Sequence, residues 1–304
     1  MRKNHDNFIM LPTVDFCFKE LMKNDRVRKG FVAALLGIDP EEVKETRLMP
    51  TFMSGEFPDD KLGVLDVRTV LADGSQMDLE MQVAYFAYWE RRILFYLGRM
   101  YTGQLQKGDT YGKLKKCIHV SILDFVHFPE DQECYRTIHL RDDRTGEMYT
   151  DLFEIQILEL AKLPADVQDG EAVVSWMRFF SGKSREEFEY MAENNEYMNE
   201  AYQTLLNLSA DERKRLEYEA REKAIWDYNS QMESAREMGM SLGLAEGLSE
   251  GLSKGLSQGR LQGKLETLTE LVQDGLISLE EAAKRLEMTE EELKGKLKDL
   301  ETSE

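Results

Sequence analysis

Asp66 and Glu80 lie on two neighbouring segments of alternating polarity, and Gln82 follows Glu80 by two residues. Carboxylates brought side by side repel unless a cation sits between them. Hard divalent ions such as Mg2+ or Mn2+ suit such a pair, because they take one or two carboxylates and complete their shell with water and phosphate oxygens. An ion held in this way polarises a phosphate and lowers the pKa of a coordinated water, which is the chemistry of phosphodiester hydrolysis.

The elements that must position this pair are two strands and a tight turn. Residues 62–71 (LGVLDVRTVL) and 76–83 (QMDLEMQV) alternate polar and apolar side chains, with Ala72-Asp73-Gly74 between them. A three-residue turn with Gly74 in the left-handed region sets Asp66 opposite Glu80, Arg68 opposite Asp78 and Val64 opposite Gln82. Leu65, Val67 and Thr69 then meet Met81, Leu79 and Met77 on the apolar side. A two-residue turn would slip the register by one and invert every side chain, placing Asp66 on the apolar face. The same alternation also describes a hairpin whose acids are simply solvated, as on the open face of an antiparallel sheet.

Asp15 is a third candidate acid. It opens a helix expected from about Val14 to Lys23, where an acid also complements the helix dipole. After the hairpin, Arg91, Arg92, Arg99, Lys107, Lys113, Lys115 and Lys116 form a basic run interleaved with Tyr96, Tyr101 and Tyr111. Such a run can contact DNA phosphates, and it equally fits the solvated side of an amphipathic helix. CIHVSILDF, YRTIHLRD and LFEIQILEL read as further strands. From about residue 170 the pattern is helical, with Trp176 and Phe179 as core residues.

Four pieces carry a resemblance: DFCFKELM (Asp15–Met22), LDV (Leu65–Val67), DLEMQ (Asp78–Gln82) and the long segment RRILFYLGRMYTGQLQKGDTYGKLKKCIHVSIL (Arg91–Leu123). In this order and spacing, the chain up to about residue 180 resembles the PD-(D/E)XK nuclease superfamily, in its branch of recombination-promoting nucleases and related transposases. The resemblance implies an α/β (α+β) fold, a restriction-endonuclease-like mixed sheet flanked by helices, followed here by an α-helical C-terminal region. It implies Asp66 and Glu80 as ligands of Mg2+ or Mn2+ and, with Gln82, as the catalytic group, to which Asp15 is the further candidate. Gln82 takes the place of the superfamily's lysine. A lysine brings a positive charge to the developing phosphorane, whereas a glutamine brings only hydrogen bonds.

Composition sets the limits. The chain of 304 residues carries a formal charge of −19, against the usual requirement for Lys and Arg at a nucleic-acid surface. The distribution relieves the conflict: residues 1–165 hold 22 basic and 27 acidic residues, and the rest 17 and 31. Cys17, Cys117 and Cys134 show no pairing pattern, and His5, His119, His127 and His139 show no zinc spacing with them. No apolar run approaches a membrane span, and the N-terminus lacks a signal-peptide core. A cytoplasmic protein with reduced thiols is expected.

Beyond residue 180 we expect a helical extension (181–232), a repeat segment (233–268) and a short helix-turn-helix-like end (269–304). In the repeat, Gly239, Gly243, Gly247, Gly251, Gly255, Gly259 and Gly263 recur at every fourth position. Each costs a helix about 1 kcal/mol relative to alanine. On a helix the stripe advances about 40° per repeat in the right-handed sense, which would let two copies wrap closely. An oligomerisation helix and a flexible linker both fit. Ser278-Leu279-Glu280-Glu281 and Thr289-Glu290-Glu291-Glu292 are capping boxes, with Gly275 placed to end the preceding helix.

The expected function is a metal-dependent DNA endonuclease linked to recombination or transposition. The alternative is a weakly active or inactive nuclease fold that serves as an oligomeric DNA- or protein-binding module.

Overall fold

The structure is a computed structural model, and it describes residues 8–50, 52–53, 63–64, 66–85, 87–164 and 171–301. The chain divides into two compact units, Met1–Asn229 and Ser230–Glu304.

The first unit is built on a six-stranded mixed sheet. In chain order its strands are β1 (Thr46–Met49), β4 (Val67–Leu71), β5 (Gln76–Gln82), β6 (Cys117–Leu123), β7 (Tyr135–Arg141) and β8 (Met148–Glu159). Two short strands, β2 (Phe52–Met53) and β3 (Gly63–Val64), pair separately. The sheet order is β1-β4-β5-β6-β8-β7. The central β5, β6 and β8 run parallel, and β1, β4 and β7 add antiparallel edges. A parallel pair requires a crossover, and helix α3 (Trp89–Thr102) supplies the one between β5 and β6.

The hairpin has the expected register over Val67–Val70, but its ladder stops short of the expected Asp66–Glu80 pair, with Asp66 on a bend, and Val64 pairs with Phe52 in the separate two-stranded sheet rather than with Gln82. Val67 faces Leu79, Arg68 faces Asp78, Thr69 faces Met77 and Val70 faces Gln76. The Gly74 N–H bonds to the Leu71 carbonyl at 2.9 Å, and Gly74 holds φ +90°. That conformation is cheap only without a Cβ, so the turn chemistry fixes the register. The expected contact of Leu65 with Met81 lies outside the described residues.

Each face of the sheet is covered, which the alternation alone did not reveal. Val67, Met77, Leu79, Met81, Ile118, Val120, Ile122 and Leu158 enter the main core. Five helices cover that face: α1 (Asp15–Lys23), α2 (Asp25–Leu36), α4 (Ala172–Ser181), α5 (Arg185–Ala192) and α6 (Glu196–Ala210). Trp176, Phe179, Phe180, Phe18 and Phe31 form its aromatic centre. Helices α2 and α6 cross so closely that a Cβ on Gly30 would stand 2.5 Å from Tyr197 Cβ.

On the other face α3 buries Trp89, Ile93, Leu97 and Met100 against Cys117, Leu123 and Ile157. The hairpin's polar side is therefore an interior, and Asp78 and Glu80 are buried rather than solvated.

Helix α7 (Glu212–Gln273) starts against the first unit. Its Tyr218 is buried and accepts a hydrogen bond from the Leu11 N–H at 3.2 Å. In the second unit, Gly239 to Gly263 lie within this helix, and a Cβ at any of the seven glycines would meet nothing among the described residues within 4 Å beyond the helix's own backbone. There Leu265 and Leu268 pack with Ala282, Ala283, Leu286 and Leu293, joining α7 to α8 (Leu279–Arg285) and α9 (Glu290–Glu301). Ser278 and Thr289 cap the last two helices, and Gly275 turns the chain at φ +71°.

Candidate active site

Asp66 lies on a bend just before β4, at the mouth of two clefts. The larger, about 690 Å³, is lined by Asp15, Lys19, Asp66 and Arg68 among others. The smaller, about 320 Å³, carries Asp66, Asp15 and Gln82. Arg221 of α7 lines both clefts. Sequence reasoning missed Arg221, because nothing local distinguishes it from the other charges of a long polar helix.

The two carboxylates are each held by a different cation. Lys19 Nζ lies 2.9 Å from Asp66 Oδ1 and 3.5 Å from Asp15 Oδ2. Arg92 Nη2 lies 3.0 Å from Glu80 Oε1, and Gln82 Nε2 donates to Glu80 Oε2 at 3.5 Å. Glu80 is only 1% exposed. Burial, with the Asp78 carboxyl adding to it, pushes Glu80 up to about 7, while His119 and Arg92 pull the other way. Asp66 also raises it, so these two carboxylates feel each other.

Beneath Glu80 lies a polar chain absent from the sequence reading. His119 Nδ1 is 2.8 Å from Asp78 Oδ2, and Nε2 is 2.8 Å from Ser121 Oγ, with all three residues fully buried. Burial drives Asp78 well above its ordinary range and lowers His119 to about 4. Burial thus disfavours the charged form of both groups. The parallel register that pairs Asp78 with His119 also pairs Glu80 with Ser121. This chain lies on the inner sheet face on which Glu80 stands, where Asp78 Oδ1 is left without a hydrogen-bond partner among the described residues.

Carboxylate oxygens are the donor type a hard divalent cation takes, and Mg2+ needs only one or two carboxylates when water and phosphate supply the rest. Among the described residues no group of three His, Cys, Asp or Glu side chains could form an all-protein cage.

The basic run is dispersed. Arg91 is exposed and lies 5.5 Å from the Tyr88 ring centroid. Arg92 is turned inward to Glu80, Lys113 pairs with Asp109, and Lys116 Nζ pairs with Glu154 at 2.5 Å. Lys107 and Lys115 are exposed on the segment after α3, and Arg99 is half-buried.

A mixed six-stranded sheet with helices on both faces is a restriction-endonuclease-like fold. A family model described as PD-(D/E)XK nuclease family transposase matches residues 12–235, and the chain belongs to that family. No curated protein matches the chain, and no solved structure does. No described helix is long and apolar enough to cross a membrane.

Proposed function

We propose that this nuclease is a divalent-metal-dependent DNA endonuclease acting in recombination or transposition. The observation that carries the reading is Asp66 lining the cleft with Glu80 buried on the adjoining strand, each paired with its own cation. Asp66 and Glu80 would hold Mg2+ or Mn2+, which when bound polarises the phosphate and lowers the pKa of the attacking water. Gln82 orients Glu80 by a hydrogen bond, and Asp15 adds negative charge beside Asp66. Arg91, Lys107 and Lys115 offer exposed charge for the DNA backbone, and a location in the cytoplasm suits a DNA substrate.

Plasmid DNA incubated with Mg2+ and the wild-type chain, Asp66→Ala or Glu80→Ala tests the site. Cleavage by wild type that both variants lose is the expected result. Equal cleavage by all three would reject the assignment, and absence of cleavage throughout would favour the binding-module alternative.

We further propose that the glycine repeat joins copies of the chain. Leu244, Leu248, Leu252 and Leu256 are 62–75% exposed beside the glycine stripe, which is open on every turn. A partner helix could approach closely there and cover the leucines. Sedimentation should show an oligomer for the full chain and a monomer for a chain ending at Tyr228; two monomeric masses would refute the proposal.

A further inference from the structure

Gln82 leaves the acids without a charged neighbour on β5, yet a cation already stands at Asp66. Helix α1 buries Cys17, Phe18, Leu21 and Met22. Asp15 and Lys19, one turn apart, line the cleft instead. The Lys19 side chain remains 36% exposed while its ammonium touches two carboxylates. Arg92, the other cation on a site acid, is committed to buried Glu80 and to the Tyr96 ring. An ammonium on a flexible stem is a compact charge that can move between neighbouring anions. Lys19 is thus the cleft cation already in contact with Asp66 and free to reach a phosphate brought against it.

We propose that Lys19 is a catalytic residue that donates a hydrogen bond to a non-bridging oxygen of the scissile phosphate. It thereby supplies from α1 the positive charge that β5 lacks. The proposal rests on the nuclease reading given above. Lys19 stays protonated throughout, forms no covalent bond, and acts by opposing the charge that builds on phosphorus in the transition state. In the DNA-free protein its charge is held by Asp66.

That arrangement predicts a non-additive response in DNA affinity measured in EDTA, where nothing is cleaved. In the full-length chain, Lys19→Gln alone should change affinity less than ~2-fold, because Asp66 already neutralises the ammonium. In an Asp66→Asn background the freed lysine should tighten binding. Adding Lys19→Gln there should weaken binding by ~5-fold or more and reduce the salt slope by about one. Additive effects would overturn the proposal. With Mg2+ and plasmid, Lys19→Gln should lower kcat by ~10²-fold or more with KM nearly unchanged. Lys19→Arg should recover part of that loss. Wild-type kcat in Lys19→Gln would overturn the catalytic role. If the wild-type chain itself fails to cut, the nuclease reading falls, and the binding cycle still decides whether Lys19 meets phosphate.

Discussion

Replacing Glu80 with glutamine is expected to abolish cleavage and, in the same protein, to raise folding stability at pH 8 by about 3 kcal/mol. The two effects share one cause. Burial beneath α3, reinforced by Asp78, holds the Glu80 carboxyl at about 7 against an ordinary 4.5. An acid raised in this way favours the folded state fully below its unfolded pKa, and that contribution is lost as pH rises through 7. At ~1.4 kcal/mol per pH unit the ionised side chain at pH 8 costs about 3 kcal/mol, which a neutral glutamine removes. Glutamine can still accept from Arg92, so the packing is kept. His119 bends the wild-type curve in the opposite sense. Held at about 4, it refuses a proton that the unfolded chain takes up as pH falls below 6.5. The quantity to measure is therefore the difference between the two proteins, by urea denaturation in EDTA. That difference should be near zero at pH 4.5 and grow to about 3 kcal/mol at pH 8; a difference independent of pH would refute the account. The accompanying activity loss should be at least ~10²-fold, the scale of losing one transition-state electrostatic contact.

Phe180→Ala should be the most damaging single truncation in the core, costing about 4 kcal/mol. Phe180 is fully buried, and its ring meets those of Phe31 at 4.9 Å, Phe18 at 5.6 Å and Trp176 at 5.7 Å. Because it joins α1, α2 and α4, its neighbours cannot collapse into the void without moving helices. Phe18 is the residue beside Lys19, so this packing also fixes which way α1 presents its polar side to the cleft. Guanidinium denaturation, with two-state behaviour checked by two probes, gives the number. A loss below about 1 kcal/mol would mean that the site refills.

Much of the hairpin was legible because its information is local. Gly74 dictates the turn, the turn dictates the register, and the alternation dictates which side chains share a face. The same holds for the caps at Ser278 and Thr289, each set by residues within one turn of helix. Strand β1 escaped notice because four residues, TRLM, carry too little pattern to declare an edge strand.

Tertiary structure alone decided what surrounds the acids. The alternation could not distinguish a solvated face from one roofed by α3, since both require polar residues at the same positions. Only the crossover between β5 and β6 buries Glu80 and brings Arg92 over it. Only the parallel register places His119 and Ser121 beside Asp78. Lys19, 47 residues before Asp66 in the chain, reaches it only because α1 packs on the sheet beside β5. The sequence by itself determined the family and the hairpin. The fold determined the ionisation of Glu80, because burial and a distant cation set a buried carboxyl's charge and neither is encoded in spacing along the chain.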